Sequence, residues 1–118
     1  MNVERFEISG PLLFSPDIYR DERGDFLETF SLKQFEIHVP SVEFVQDNQS
    51  FSKKGTLRGL HYQNPPFAQT KLVRVLEGEI IDVAVDLRKD SPTYGKAFSV
   101  LLSAENKKQL LLPQGFAH

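Results

Sequence analysis

The chain has no cysteine and no tryptophan, one methionine and three histidines in 118 residues. Without cysteine there are no disulfides, no thiolate nucleophile and no sulfur-ligated zinc, which is compatible with a cytosolic protein. An excess of one charge is missing too. Fourteen basic residues against 16 acidic ones leave a formal net charge of −2, so the balance gives no electrostatic footing for nucleic acid. No apolar run approaches the roughly 18–20 residues needed to cross a bilayer, and the N-terminal MNVERFEISG lacks the basic-then-apolar order of a signal peptide. The expectation is a soluble, cytoplasmic, single domain over residues 1–118, with neither nucleic acid nor membrane as partner.

Phenylalanine is abundant, with 10 residues, and aromatic side chains suit a pleated, half-buried surface. Short alternating stretches recur along the chain. Residues 1–8 read as an edge strand ended by Gly10-Pro11, and an apolar patch follows at 12–14. The charged run Tyr19–Asp25 reads as a turn, and 26–30 as a second strand. Ser31 to Gln34 fits a capping box, with Phe30 and Phe35 placed as a hydrophobic staple, so a helix of about two turns is expected before Val39-Pro40. Strands are then expected over 42–51 and 56–63, the second interrupted by Gly59. Two more, 72–76 and 79–87, are joined by a tight turn, and 98–102 and 108–112 pair with each other. Pro113-Gln114-Gly115 is a turn. Many short strands with one brief helix predict an all-β sandwich or barrel.

Chemistry concentrates between Gly55 and Lys71. His38, beside the helix stop, reads as a packing or surface residue. His61 differs, because Arg58 and Lys71 are close in sequence and Gly59 gives the backbone freedom to bring His61 and Arg58 to one side. The preceding strand would carry Gln46, Asn48 and Ser50 on one face, too polar for a dry core and suited to a wet cavity.

Gly55, His61-Tyr62-Gln63, Gly78 and Pro113-x-Gly115-x-x-His118 resemble the two motifs of the cupin superfamily of small β-barrels. Metal-binding members of that superfamily place a second histidine where this chain has Gln63 and a glutamate where it has Lys71. Two ligands do not hold a catalytic metal and an ammonium repels one, so no metal is expected. The same lysine would stabilise a developing oxyanion or enolate.

A narrower resemblance covers nearly the whole chain. RGDFLETF from Arg23, FVQDNQS from Phe44, LRGLHYQ from Leu57, KLVRVLEGEIIDVAVDLR from Lys71, SPTYGK from Ser91 and LLPQGFAH from Leu111 stand in the same order as in the dTDP-4-dehydrorhamnose 3,5-epimerase family. The resemblance implies an all-β cupin-type jelly-roll barrel with one short helix in its N-terminal half. It also implies a cofactor-free homodimer that epimerises a dTDP-4-keto-6-deoxy sugar at C3 and C5 on the way to dTDP-L-rhamnose and surface polysaccharide. On it, His61 is the base and Lys71 stabilises the enolate. Arg58 and His118 line the sugar and phosphate part of the pocket, Gln46 and Asn48 add neutral hydrogen bonds, and Arg23, Phe26 and Glu28 reach the nucleotide from the partner subunit.

The family's acid tyrosine and the aspartate that orients its base lie beyond the point matching His118, and neither Tyr62 nor Tyr94 stands at the tyrosine's position. The expectation is therefore a barrel truncated at its C-terminal end, with weak or no activity from these 118 residues alone. Two alternatives remain at this stage: a related dTDP-sugar 3-epimerase or ketoisomerase, and an inactive nucleotide-sugar-binding fragment.

Overall fold

The computed structural model describes all residues from Met1 to His118. Nine strands and one helix follow in order: β1 (Asn2–Arg5), β2 (Leu12–Ser15), β3 (Ile18–Asp21), β4 (Gly24–Leu27), α1 (Leu32–His38), β5 (Lys71–Arg74), β6 (Glu79–Asp86), β7 (Ala97–Ser103), β8 (Gln109–Leu112) and β9 (Phe116–Ala117). The all-β expectation holds. The strands form three antiparallel sheets, ordered β1-β2-β8-β5, β3-β4 and β7-β6-β9.

The middle of the molecule is β8. Its run Leu110-Leu111-Leu112 shows no alternation, and all three side chains are sealed from solvent. Leu110 and Leu112 face a cluster with Ile8, Ala84, Leu102 and Phe116, while Leu111 faces Leu12, Phe14 and Phe35. A strand covered on both faces needs apolar residues at every position, not every second one. The four-stranded sheet is thus the central layer, with the β7-β6-β9 sheet on one side and α1 on the other. Sealing each leucine contributes about 1.5–3 kcal/mol.

The helix forms where expected, and Phe30 packs on Phe35 with ring centroids 5.0 Å apart, as the staple predicts. The capping box does not form. Ser31 occupies the N-cap in an extended conformation, but its side chain makes no capping bond. Only its carbonyl takes part, accepting from the amides of Gln34 and Phe35. His38 lies edge-on to Phe14, the packing role read from its position.

Five expectations about strands and their pairing fail. Residues 12–14, read only as an apolar patch, are the inner strand β2, and the charged run Tyr19–Asp25 is the hairpin β3-β4 with its turn at Glu22-Arg23. The turn at Glu77-Gly78 does not make a hairpin: β5 joins β8, while β6 crosses to the other sheet. Strands β7 and β8 pair with β6 and with β2 and β5, not with each other. Residues 42–51 and 56–63 join no sheet, and no closed barrel results.

Candidate functional site

Strand β6 positions the site. Its residues Asp82, Ala84 and Asp86 point inward and are buried, while Ile81 and Val83 point outward. Strand β9 runs antiparallel to it, with Asp86 opposite Phe116 and Val85 opposite Ala117. One residue further along that register, the imidazole of His118 reaches the same inner row, where its Nε2 lies 2.5 Å from Asp82 Oδ1. The other carboxylate oxygen of Asp82 is buried and has no partner.

His118 also joins His61. The two exchange both backbone hydrogen bonds, at 3.0 and 3.1 Å, making a single rung that continues β9 sideways. Their ring centroids are 6.4 Å apart. His61 Nδ1 is 3.1 Å from the carbonyl of Gly59. A carbonyl can only accept, so Nδ1 carries the proton of that bond and Nε2 of the neutral ring keeps its lone pair. The carboxylate of Asp82 imposes the opposite arrangement on His118, whose Nε2 is the donor. The tautomer of His61 is set here by a backbone oxygen.

Lys71 opens β5 opposite Leu112, the last residue of β8. From Leu112 the chain turns through Pro113–Gly115 into β9. Gln114 Nε2 donates to the carbonyl of Ala68 at 3.0 Å, tying the approach to Lys71 to the approach to His118. Lys71 is half-buried and has no carboxylate within ion-pair distance.

The remaining expected residues lie apart from this pair. Arg58 donates to Ser52 Oγ through both Nε (3.1 Å) and Nη2 (2.9 Å), with no acidic partner. Gln46 Nε2 donates to Asn48 Oδ1 at 3.0 Å, so the two share a side as their spacing predicts. No hydrogen bond or ion pair connects Arg58, Gln46 or Asn48 to His61 or His118. Arg23 and Phe26 are on the exposed β3-β4 hairpin, where Tyr19 and Phe26 face each other across the strands, and Glu28 follows directly after it. Arg23 grips Asp21 there. Its guanidinium holds the Asp21 carboxyl below the usual carboxylate range, and that carboxylate in turn raises Arg23. No three His, Asp or Glu side chains come together in an arrangement that could hold a metal ion.

Two carboxylates escaped the reading of the sequence, Asp82 and Asp86. Asp86 is wholly buried. It accepts from Arg88 Nε, Nη2 and backbone amide at 2.9–3.0 Å, from Ser91 Oγ at 2.6 Å and from Thr93 Oγ1 at 2.7 Å. The Arg88 guanidinium is the main reason that its carboxyl lies far below the ordinary value, and the Ser91 and Thr93 hydroxyls add to it against the opposing effect of burial. The available signal was a charge at every fourth position on the inward row of an otherwise apolar strand, since an unpaired carboxylate is not tolerated there.

The model of the family described as dTDP-4-dehydrorhamnose 3,5-epimerase matches residues 5–118. The dTDP-4-dehydrorhamnose 3,5-epimerase of Shigella flexneri is 60% identical over the whole of this chain and 66% of its own length. Among solved structures, the Bacillus anthracis dTDP-4-dehydrorhamnose 3,5-epimerase with TDP and PPi bound has a TM-score of 0.94 at 47% identity, covering 99% of this chain and 67% of that one. The Legionella pneumophila dTDP-6-deoxy-D-glucose-3,5-epimerase in complex with dTDP-4-keto-L-rhamnose has a TM-score of 0.91 at 50% identity, over 99% and 62%. The chain spans 60–66% of the length of the first four curated relatives that it matches.

Proposed function

We propose, since the chain belongs to the dTDP-4-dehydrorhamnose 3,5-epimerase family, that the protein carrying it epimerises dTDP-4-dehydro-6-deoxy-D-glucose at C3 and C5 to dTDP-4-dehydro-L-rhamnose. The C4 ketone acidifies the hydrogens on both neighbouring carbons. Each epimerisation then needs a base, a positive charge for the enolate oxygen, and a proton returned to the opposite face. His61 Nε2 is the base. The Lys71 ammonium, free of any carboxylate, stabilises the enolate, and no cofactor takes part.

The observation that carries this reading is the hydrogen bond of His61 Nδ1 with Gly59, which leaves Nε2 as an acceptor. His118 lines the sugar side of the site, held by Asp82. Arg58 offers a planar fork to a phosphate, a role that requires exchanging Ser52 Oγ for phosphate oxygens. Gln46 and Asn48 supply neutral hydrogen bonds. The β3-β4 hairpin stands as a two-stranded sheet of its own, and its exposed Phe26, with Arg23 and Glu28, would reach the nucleotide in the site of a second copy. The protein is then a homodimer working in the cytoplasm on a nucleotide sugar destined for surface polysaccharide.

Incubation with dTDP-4-keto-6-deoxyglucose in deuterated water tests the reaction. Solvent deuterium is expected at both C3 and C5. Deuterium at C3 alone would replace this reading with a 3-epimerase, and none at either, with binding retained, would leave a nucleotide-sugar-binding protein. His61→Asn should abolish exchange at both carbons, and unchanged exchange would refute the base assignment.

A further inference from the structure

We propose that Arg88 is a positioning residue for the His61–His118 pair, acting through Gly115 and Phe116. The inference rests on the proposed reaction only in taking that pair as the working end of the site. Arg88 is fixed at its head, because Nε and Nη2 bond the buried Asp86 and Nη2 also donates to the carbonyl of Ser9 at 2.7 Å. Its tail is equally constrained. A Cβ on Gly115 would sit 2.6 Å from Arg88 Cγ, so the arginine stem occupies the space in which any other residue would place its side chain. The guanidinium carbon lies 4.8 Å from the centre of the Phe116 ring, within cation–π range.

Arg88 therefore touches two consecutive residues, Gly115 at the end of the turn and Phe116 at the start of β9. The amide of Leu87, its neighbour, donates to the carbonyl of Gly115 at 2.9 Å and locks the same turn from the backbone. Two residues later comes His118, whose ring meets Asp82 and whose backbone carries His61. Asp86 and Asp82 thus share one row of β6. The first holds the lever, through Arg88, and the second receives the imidazole that the lever places. Gly115 turns at a φ of 93°, which favours glycine by itself. What Arg88 adds is a stem packed against that turn and a guanidinium on Phe116, contacts with the residues leading into His118 that a stabilising ion pair alone would not require.

The test uses the protein that carries this sequence, with Arg88→Lys, Arg88→Met and Gly115→Ala compared by steady-state kinetics on dTDP-4-keto-6-deoxyglucose. The amide exchange rates of His61 and His118 and the imidazole nitrogen signals of His118 are followed by NMR. Arg88→Met is expected to lower kcat at least ten-fold while KM stays within about two-fold, to quicken amide exchange at His61 and His118, and to shift the His118 ring signals. Arg88→Lys, which keeps the stem and the charge, should lie between it and the parent. Gly115→Ala, which presses on the Arg88 stem and strains the positive φ together, should change kcat, exchange and ring signals in the same direction with the Asp86–Arg88 bonds still available. If Arg88→Met does not fold, the double variant Asp86→Asn/Arg88→Met removes the stranded carboxylate and is read in the same way. Folded variants with parental kcat, exchange rates and ring signals would overturn the proposal while leaving the reaction standing. Altered NMR signatures with no turnover by the parent would do the reverse.

Discussion

Asp82 and Asp86 stand four residues apart on one buried row of β6, yet they are used differently. Asp86 is saturated with donors and Asp82 has one, the His118 ring. Because the folded-state pKa of Asp86 is depressed below its unfolded value, its stabilisation is complete above the ordinary carboxylate range, near pH 4, and is lost as pH falls through the folded value. Urea denaturation between pH 2 and 7 should show this acid dependence in the parent and a flatter profile in Asp86→Asn. At neutral pH, Asp86→Ala strands Arg88 and should cost roughly 3–5 kcal/mol. For Asp82, removing the acceptor of the His118 bond with Asp82→Ala should lower kcat by about 10- to 100-fold, the equivalent of a charge-assisted hydrogen bond. Asp82→Asn keeps an oxygen that can accept and should lose less. Equal kcat for Asp82→Ala and the parent would detach His118 from the reaction. His61, Lys71 and Arg58 were legible as candidates because histidine and cations crowd a glycine-punctuated stretch. The two aspartates were not, since their roles depend on the register of β6 with β9 and on the loop that returns Arg88, neither of which local sequence encodes.

The helix and the unpaired segments show where local pattern is a good guide and where it is not. Helix α1 was legible from its staple and its proline stop, both local signals. Its N-cap hydroxyl was read as a bond that is absent, so Ser31→Ala should cost only a few tenths of a kcal/mol instead of the ~1 kcal/mol of an ordinary cap. Phe35→Ala, which empties the space between Phe14, Phe30 and Leu111, should cost about 3–5 kcal/mol. Thermal or urea unfolding of the two variants gives the comparison directly. Residues 42–63 alternate as strands do, and Gln46 does lie beside Asn48. Alternation reports which way successive side chains point, however, and says nothing of whether a neighbouring strand is there to bond. For the same reason the order of β5, β6, β7 and β8 was misread: adjacent in sequence is the usual guess for adjacent in a sheet, and here the chain changes layers at Glu77-Gly78.

At the scale of the molecule, the Cα radius of gyration of 15.0 Å exceeds the ~13.5 Å of a close-packed chain of this length. Residues 42–70 form no strand or helix, and Val45, Phe51 and Leu57 there are each at least 80% exposed. That segment bonds to the sheeted part of the chain through the His61 backbone and the Ala68 carbonyl alone. Limited trypsin digestion should therefore cut first at the exposed Lys53-Lys54 turn, and mass spectrometry finding initial cleavage at Arg88 instead would contradict this layout. The central sheet has another consequence, in the order of synthesis. Leu12 of β2 pairs with Leu111 of β8, 99 residues later (111 − 12). At about 5–20 residues per second, a ribosome delivers β8 roughly 5–20 s after β2 has emerged. Until then β2 has β1 available on one edge and no strand on the other, and Leu12 and Phe14 lack Leu111. This makes the first fifteen residues the stretch that a chaperone would meet during translation, and the last strand of the central layer the event that releases it.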